Sequence, residues 1–152
     1  MNFQSESKRS GDEFEYLVLN DLKERGFDTI KKNIYIPGTG CEVDFVACES
    51  QWPIEYVEAK GGRDEDKKRP GAQRTDNVKK AVANGALIKA VYPDVYYVVY
   101  FSAKPLTGSY SAEMIETALC NKIINEVRYL TNNRKNNDEL VLFEIEKSEA
   151  EK

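Results

Sequence analysis

Asp44, Glu58 and Lys60 lie in two short apolar stretches, CEVDFVAC at residues 41–48 and IEYVEAK at residues 54–60. Both read as strands. Alternation along the first places Cys41, Val43, Phe45 and Ala47 on one face and Glu42, Asp44, Val46 and Cys48 on the other. Along the second, Ile54, Tyr56, Glu58 and Lys60 share a face. A hairpin around the Trp52-Pro53 turn that joined the two charged faces would bring two carboxylates and an ammonium together. Charges on the middle strands of a small core are costly unless they are paired or bound to metal. Two acids so placed hold a hard cation through oxygen. Such a cation lowers the pKa of water and offsets charge developing on a phosphate. Lys60 would orient or deprotonate the attacking water and stabilise the negative transition state.

Composition narrows the chemistry. The chain has 152 residues and no histidine. Ser-His and Cys-His triads, histidine bases and histidine metal ligands are therefore excluded. A metal here is held by oxygen, which favours Mg²⁺, with Mn²⁺ as its substitute, over zinc. The three cysteines, Cys41, Cys48 and Cys120, form no Cys-x-x-Cys and read as small buried hydrophobes. Net charge is −4, unlike a generic nucleic-acid binder. The charge is uneven: residues 1–59 carry −6, residues 60–89 carry +5 and residues 90–152 carry −3. The basic segment that starts at Lys60 would neutralise phosphates locally, or form a solvated loop and helix face.

The elements that must position these residues follow from periodicity. Residues 10–26 read as an amphipathic helix with Phe14, Leu17, Val18 and Leu22 on its apolar face. Ser10 and Glu13 form a capping box, and Gly26 is a stop signal. Glu15 falls within the apolar arc, with Val18, Leu19 and Leu22 at i+3, i+4 and i+7; an inward-pointing glutamate needs a reason. A strand at residues 33–36 ends at the P-G-T-G turn. After the hairpin come a polar loop at residues 61–71, a helix at 75–91 capped by Thr75, and a buried strand at 94–101. A helix from Ser111, with a break, runs to Leu130, and a last strand covers 139–145. The order α-β-β-β-α-β-α-β predicts an α/β chain with a single mixed sheet flanked by helices, in one domain. Short disordered tails are expected at about residues 1–9 and 147–152. No apolar run is long enough to span a bilayer and the N-terminal residues lack a secretory core, so a cytoplasmic location is expected.

The pattern G-C-E-V-D-F, followed fourteen positions after Asp44 by the glutamate of Y-V-E-A-K, resembles the PD-(D/E)xK nuclease superfamily. Asp44 matches the first acidic position and Glu58-Ala59-Lys60 the (D/E)-x-K. Gly11 to Glu15 resembles the G-x-x-x-E of the first helix in many members. Val43 stands where the family name has proline. The resemblance implies a restriction-endonuclease-like α/β/α core and Mg²⁺-dependent hydrolysis of DNA phosphodiester bonds. Glu15, Asp44, Glu58 and Lys60 are then the catalytic set, with Asp44, Glu58 and Glu15 as metal ligands. It also implies a restriction-type enzyme acting as a homodimer or with a partner subunit. A junction or repair nuclease of the same fold, and a non-catalytic nucleic-acid-binding module, are the alternatives.

Further candidates surround this core. Some members carry a glutamine on the helix after the motif, for which Gln73 is the candidate. Lys67, Lys68, Arg69 and Arg74 would touch DNA phosphates. Gly61-Gly62 either admits a phosphate backbone or is a flexible strand exit. Glu42 is an alternative or additional acid on the same strand face as Asp44. Tyr96, Tyr97 and Tyr100 read as core, and Trp52 as a turn residue.

Overall fold

The computed structural model describes residues 3–61, 70–132 and 141–148. Helix α1 spans Phe3–Glu24. It starts well before Ser10, which lies inside the helix rather than at its N-cap, and from residue 3 the expected disordered tail is helical. Phe14, Val18 and Leu22 recur every four residues and are buried, each contributing about 1.5–3 kcal/mol. Gly26, at φ 94, ends the helix as expected.

Strand β1 (Thr29–Ile36) pairs antiparallel with β2 (Cys41–Glu49), which pairs antiparallel with β3 (Trp52–Lys60). The β2–β3 turn is Ser50-Gln51, not Trp52-Pro53. Both turn residues have positive φ, 47° and 73°, as a two-residue hairpin turn matched to strand twist requires. The Ser50 N–H donates to Asp28 Oδ2 at 2.8 Å, anchoring the turn. Trp52 is thus a strand residue, and an exposed one.

A 3₁₀ turn (Gly71–Gln73) leads into α2 (Thr75–Val91), whose N-cap is Arg74 rather than Thr75. Then follow β4 (Tyr97–Phe101), α3 (Tyr110–Cys120), β5 (Glu126–Asn132) and β6 (Val141–Lys147). Strand β5 corrects the sequence reading, which continued a helix to Leu130. Helix α3 stops at Cys120, and Lys122 at φ 56 turns the chain. Beyond it E-V-R-Y-L-T alternates, with Val127 and Tyr129 facing one layer and Leu130 the other. Lys147 belongs to β6, not to a frayed tail.

The sheet is open and mixed, in the order β1-β2-β3-β4-β5-β6. Strands β3, β4 and β5 are parallel; the other pairs are antiparallel. One face packs α1 through Phe14, Val18 and Leu22 onto Phe45, Val57, Val98, Tyr100 and Leu130. The other packs α2 and α3, through Val78, Ala81, Ile88, Ile115 and Ala118, onto Val43, Val46, Tyr97, Val99, Phe101 and Val127. The architecture is the expected α/β/α sandwich. Tyr97 and Tyr100 are core residues, as their sequence context indicated. Among the described residues, no helix is long and apolar enough to cross a membrane.

Candidate active site

Asp44 sits where two strands change faces together. Residues Cys41, Val43, Val46 and Cys48 pack on the α2 side, and Phe45 and Ala47 on the α1 side. Simple alternation therefore breaks between Val43 and Phe45. Across from this point Asn33 adopts φ 53, and Asn33 and Asp44 alone drop out of an otherwise continuous β1–β2 register. A left-handed asparagine in one strand lets the pair switch faces without a residue being inserted. The β2–β3 pairing also begins only at Phe45↔Val57. In its place, Asp44 Oδ2 accepts the Ala59 N–H at 2.8 Å. The carboxylate thus takes the ladder position of a β2 carbonyl and is held in the plane of the sheet, beside the Glu58-Ala59-Lys60 segment.

Glu58 lies on the α2 side of that segment and is 3 % exposed. Burial is the main cause that pushes its carboxyl up to about 7, and the Asp44 charge adds to the effect. Two groups oppose the shift. The Lys60 ammonium stands 3.3 Å from Glu58 Oε2, and the Asn84 side chain donates a hydrogen bond from α2. The nearby Glu58 and Asp44 charges, after burial itself, also hold the Tyr97 phenol well above its ordinary range. Asp44, Glu58 and Lys60 therefore converge, as the spacing indicated. Asn84 was missed. Its signal was a polar residue on the buried arc of α2, beside Ala81 and Gly85. Gln73, the glutamine candidate of the sequence reading, lies in the 3₁₀ turn before α2.

Glu15 approaches from the other side. It is half-buried on α1 and lines, with Tyr16, Leu19, Lys32, Asn33, Asp44 and Phe45, a cavity of about 180 Å³. Asp44 stands between the layers, facing Glu15 in the cavity and Glu58 across the sheet. Gly61 sets the approach of α1. A Cβ there would fall 2.5 Å from Phe14 Cβ and 2.7 Å from its ring. The missing side chain is filled by Phe14, next to Glu15 in sequence. Close packing of α1, rather than access for a phosphate, is what this glycine provides.

Other candidates resolve differently. Gln73 and Arg74 are half-buried at the entry to α2, their backbone N–H groups bonded to Pro70 O and Gly71 O. Lys67, Lys68 and Arg69 lie outside the described residues. Glu42 is exposed and lies between Cys41 and Val43, which face α2, so it points away from Glu58. Cys41 and Cys48 are buried as expected, whereas Cys120 is exposed.

A second charged cluster lies on the α1 side. Arg128, 1 % exposed, makes a bidentate pair with Glu55 at 2.7 and 2.8 Å and bonds Glu126 through Nε. Its Nη1 also donates to Tyr100 Oη, and that hydroxyl donates to Asp21 Oδ2 at 2.6 Å. Tyr96 Oη donates to Glu126 Oε1 at 2.6 Å. Each acid here has a donor on it. These bonds make a structural network that ties α1 to the sheet.

Among the described residues, no three His, Cys, Asp or Glu side chains are grouped to hold a metal ion. Asp44 acts electrostatically on Glu58 and lines one cavity with Glu15. Paired carboxylates suit Mg²⁺, which is commonly held by one or two of them and keeps several waters. Compared with known proteins, the sequence matches no family model and no curated protein.

Proposed function

We propose that the chain is a divalent-metal-dependent DNA endonuclease of the restriction type, built on a PD-(D/E)xK-like core. One observation carries the reading. The Asp44 carboxylate is fixed by the Ala59 N–H against the buried Glu58, with Lys60 3.3 Å from Glu58. A fold rarely places two acids and a lysine at the splayed end of its central strands without a use for the charge.

Asp44 and Glu58 would hold Mg²⁺, with Glu15 facing Asp44 across the cavity. When bound, the ion supplies Lewis-acid activation of water and of the scissile phosphate. The chain's own residues do the rest. The Ala59 N–H and the left-handed Asn33 fix the direction of Asp44. Asn84 and Lys60 favour the ionised form of Glu58, opposing its burial. Lys60 Nζ, at the strand end, aligns the attacking water and stabilises charge on the phosphoryl oxygens.

The test is nicking of supercoiled plasmid with Mg²⁺, Mn²⁺ or EDTA, beside Asp44→Asn. Metal-dependent nicking that is lost in the variant supports the reading, and discrete fragments support the restriction type. Cleavage that persists in EDTA, or undiminished in Asp44→Asn, refutes the site. Duplex, branched and single-stranded substrates compared side by side separate a restriction-type enzyme from a junction or repair nuclease.

A further inference from the structure

The β1–β2 pair continues past the point where β2 leaves β3, forming an arm of residues 34–43 beyond Asp44. Its α2-facing side is packed by Ile34, Ile36, Cys41 and Val43. Its α1-facing side is open. Tyr35 lies between Ile34 and Ile36, hence on that open side, and is 58 % exposed. At the base of the arm the cavity beside Asp44 is lined by Lys32, Asn33 and, from α1, Tyr16, which is 63 % exposed.

Lys32 is the notable group. It pairs in register with Phe45, which faces α1, whereas its neighbour Lys31 pairs with Val46, which faces α2. The two lysines of this edge strand therefore serve opposite faces. Lysines on an edge strand commonly discourage sheet-to-sheet association, and either face would do for that. Only Lys32 borders the acidic cavity. It makes no salt bridge with any described side chain. A cationic ammonium, a carboxamide and the Tyr16 phenol thus line one side of a cavity whose other wall is anionic, with Tyr35 farther along the arm opposite the exposed Glu42. That is the donor set that binds phosphodiester oxygens.

We propose that this face of the β1–β2 arm is the track of the substrate backbone: Lys32 and Asn33 bind a phosphate flanking the one at Asp44, with Tyr16 of α1 beside them and Tyr35 farther along β1. The inference rests on the nuclease reading and deepens it by assigning substrate contacts that the basic segment after Lys60 does not contain. Lys32 is a binding residue here, not a catalytic one.

The experiment is fluorescence anisotropy of a short labelled DNA duplex in Ca²⁺, at salt concentrations from about 50 to about 200 mM, for wild type, Lys32→Ala, Lys32→Arg and Lys31→Ala. Loss of one phosphate contact lowers the slope of log affinity against log salt by about 0.9. That loss is expected in Lys32→Ala, with recovery in Lys32→Arg and a slope near wild type in Lys31→Ala. Equal effects of Lys31→Ala and Lys32→Ala, or none, overturn the track while leaving the nuclease reading intact. Wild type that neither binds the duplex nor nicks plasmid overturns both.

Discussion

Glu58→Gln should flatten the pH dependence of stability in the metal-free protein. In the folded chain the Glu58 carboxyl is pushed from 4.5 up to about 7, first by burial and then by Asp44. Between those values the folded state keeps a proton that the unfolded state has lost. Stability therefore falls as pH rises through this window. The contribution is complete below about pH 4.5 and gone above about pH 7. At about 1.4 kcal/mol per pH unit, the gap between the two values amounts to about 3 kcal/mol. Solvent screening takes little from this figure, because the Glu58 side chain is only 4 % exposed. Urea denaturation in EDTA at about pH 5 and about pH 8.5 measures it. Wild type should lose about 2.5 kcal/mol more than Glu58→Gln between the two conditions, because part of the window lies below pH 5. Asp44→Asn, which removes the charge beside Glu58, should show a smaller loss than wild type. Parallel pH profiles for wild type and Glu58→Gln would refute the reasoning, because they would mean that Glu58 ionises as easily folded as unfolded.

Lys60→Ala should retain metal binding by isothermal titration while plasmid nicking slows about a hundredfold or more; normal turnover would remove Lys60 from the mechanism. Arg128→Met should cost about 3–5 kcal/mol in chemical denaturation, since it leaves Glu55 and Glu126 buried without their cation; a loss below about 1 kcal/mol would show that the network is not closed as described. Gly61→Ala should cost about 1–3 kcal/mol by driving a Cβ into Phe14. It should also slow nicking beyond what the remaining folded fraction explains, because Glu15 moves with Phe14; unchanged specific activity in the folded fraction would separate α1 placement from catalysis.

Much of the architecture was legible because the signals were local. Phe14, Val18 and Leu22 at helical spacing gave α1, and Gly26 gave its end. The apolar strand patterns gave β2, β3 and β4. What escaped was set by tertiary context. Strand β5 carries Glu126 and Arg128, and a charged pair two residues apart reads as surface. Its burial is possible only because Glu55, Tyr96 and Tyr100 come from other strands to meet it. The hairpin turn fell at Ser50-Gln51 rather than Trp52-Pro53 because positive φ, which neither residue type advertises, is what the strand twist demands.

The candidate site was legible in its residue types but not in its geometry. Spacing gave Asp44, Glu58 and Lys60, and strict alternation gave a plausible way to unite them. The structure unites them differently. Had alternation held, Asp44 would project onto the α2 face with Glu58, and Glu15 on α1 would have no acid opposite it. The left-handed Asn33 lets β1 and β2 switch faces together, leaving Asp44 in the plane of the sheet on the Ala59 N–H. From there it faces Glu58 on one side and the cavity shared with Glu15 on the other. A single asparagine thereby connects the helix glutamate to the strand motif. Asparagine tolerates the left-handed region better than most residues, so a β-branched residue such as valine at position 33 should disfavour the crossover and uncouple the two halves of the site, even where the fold survives.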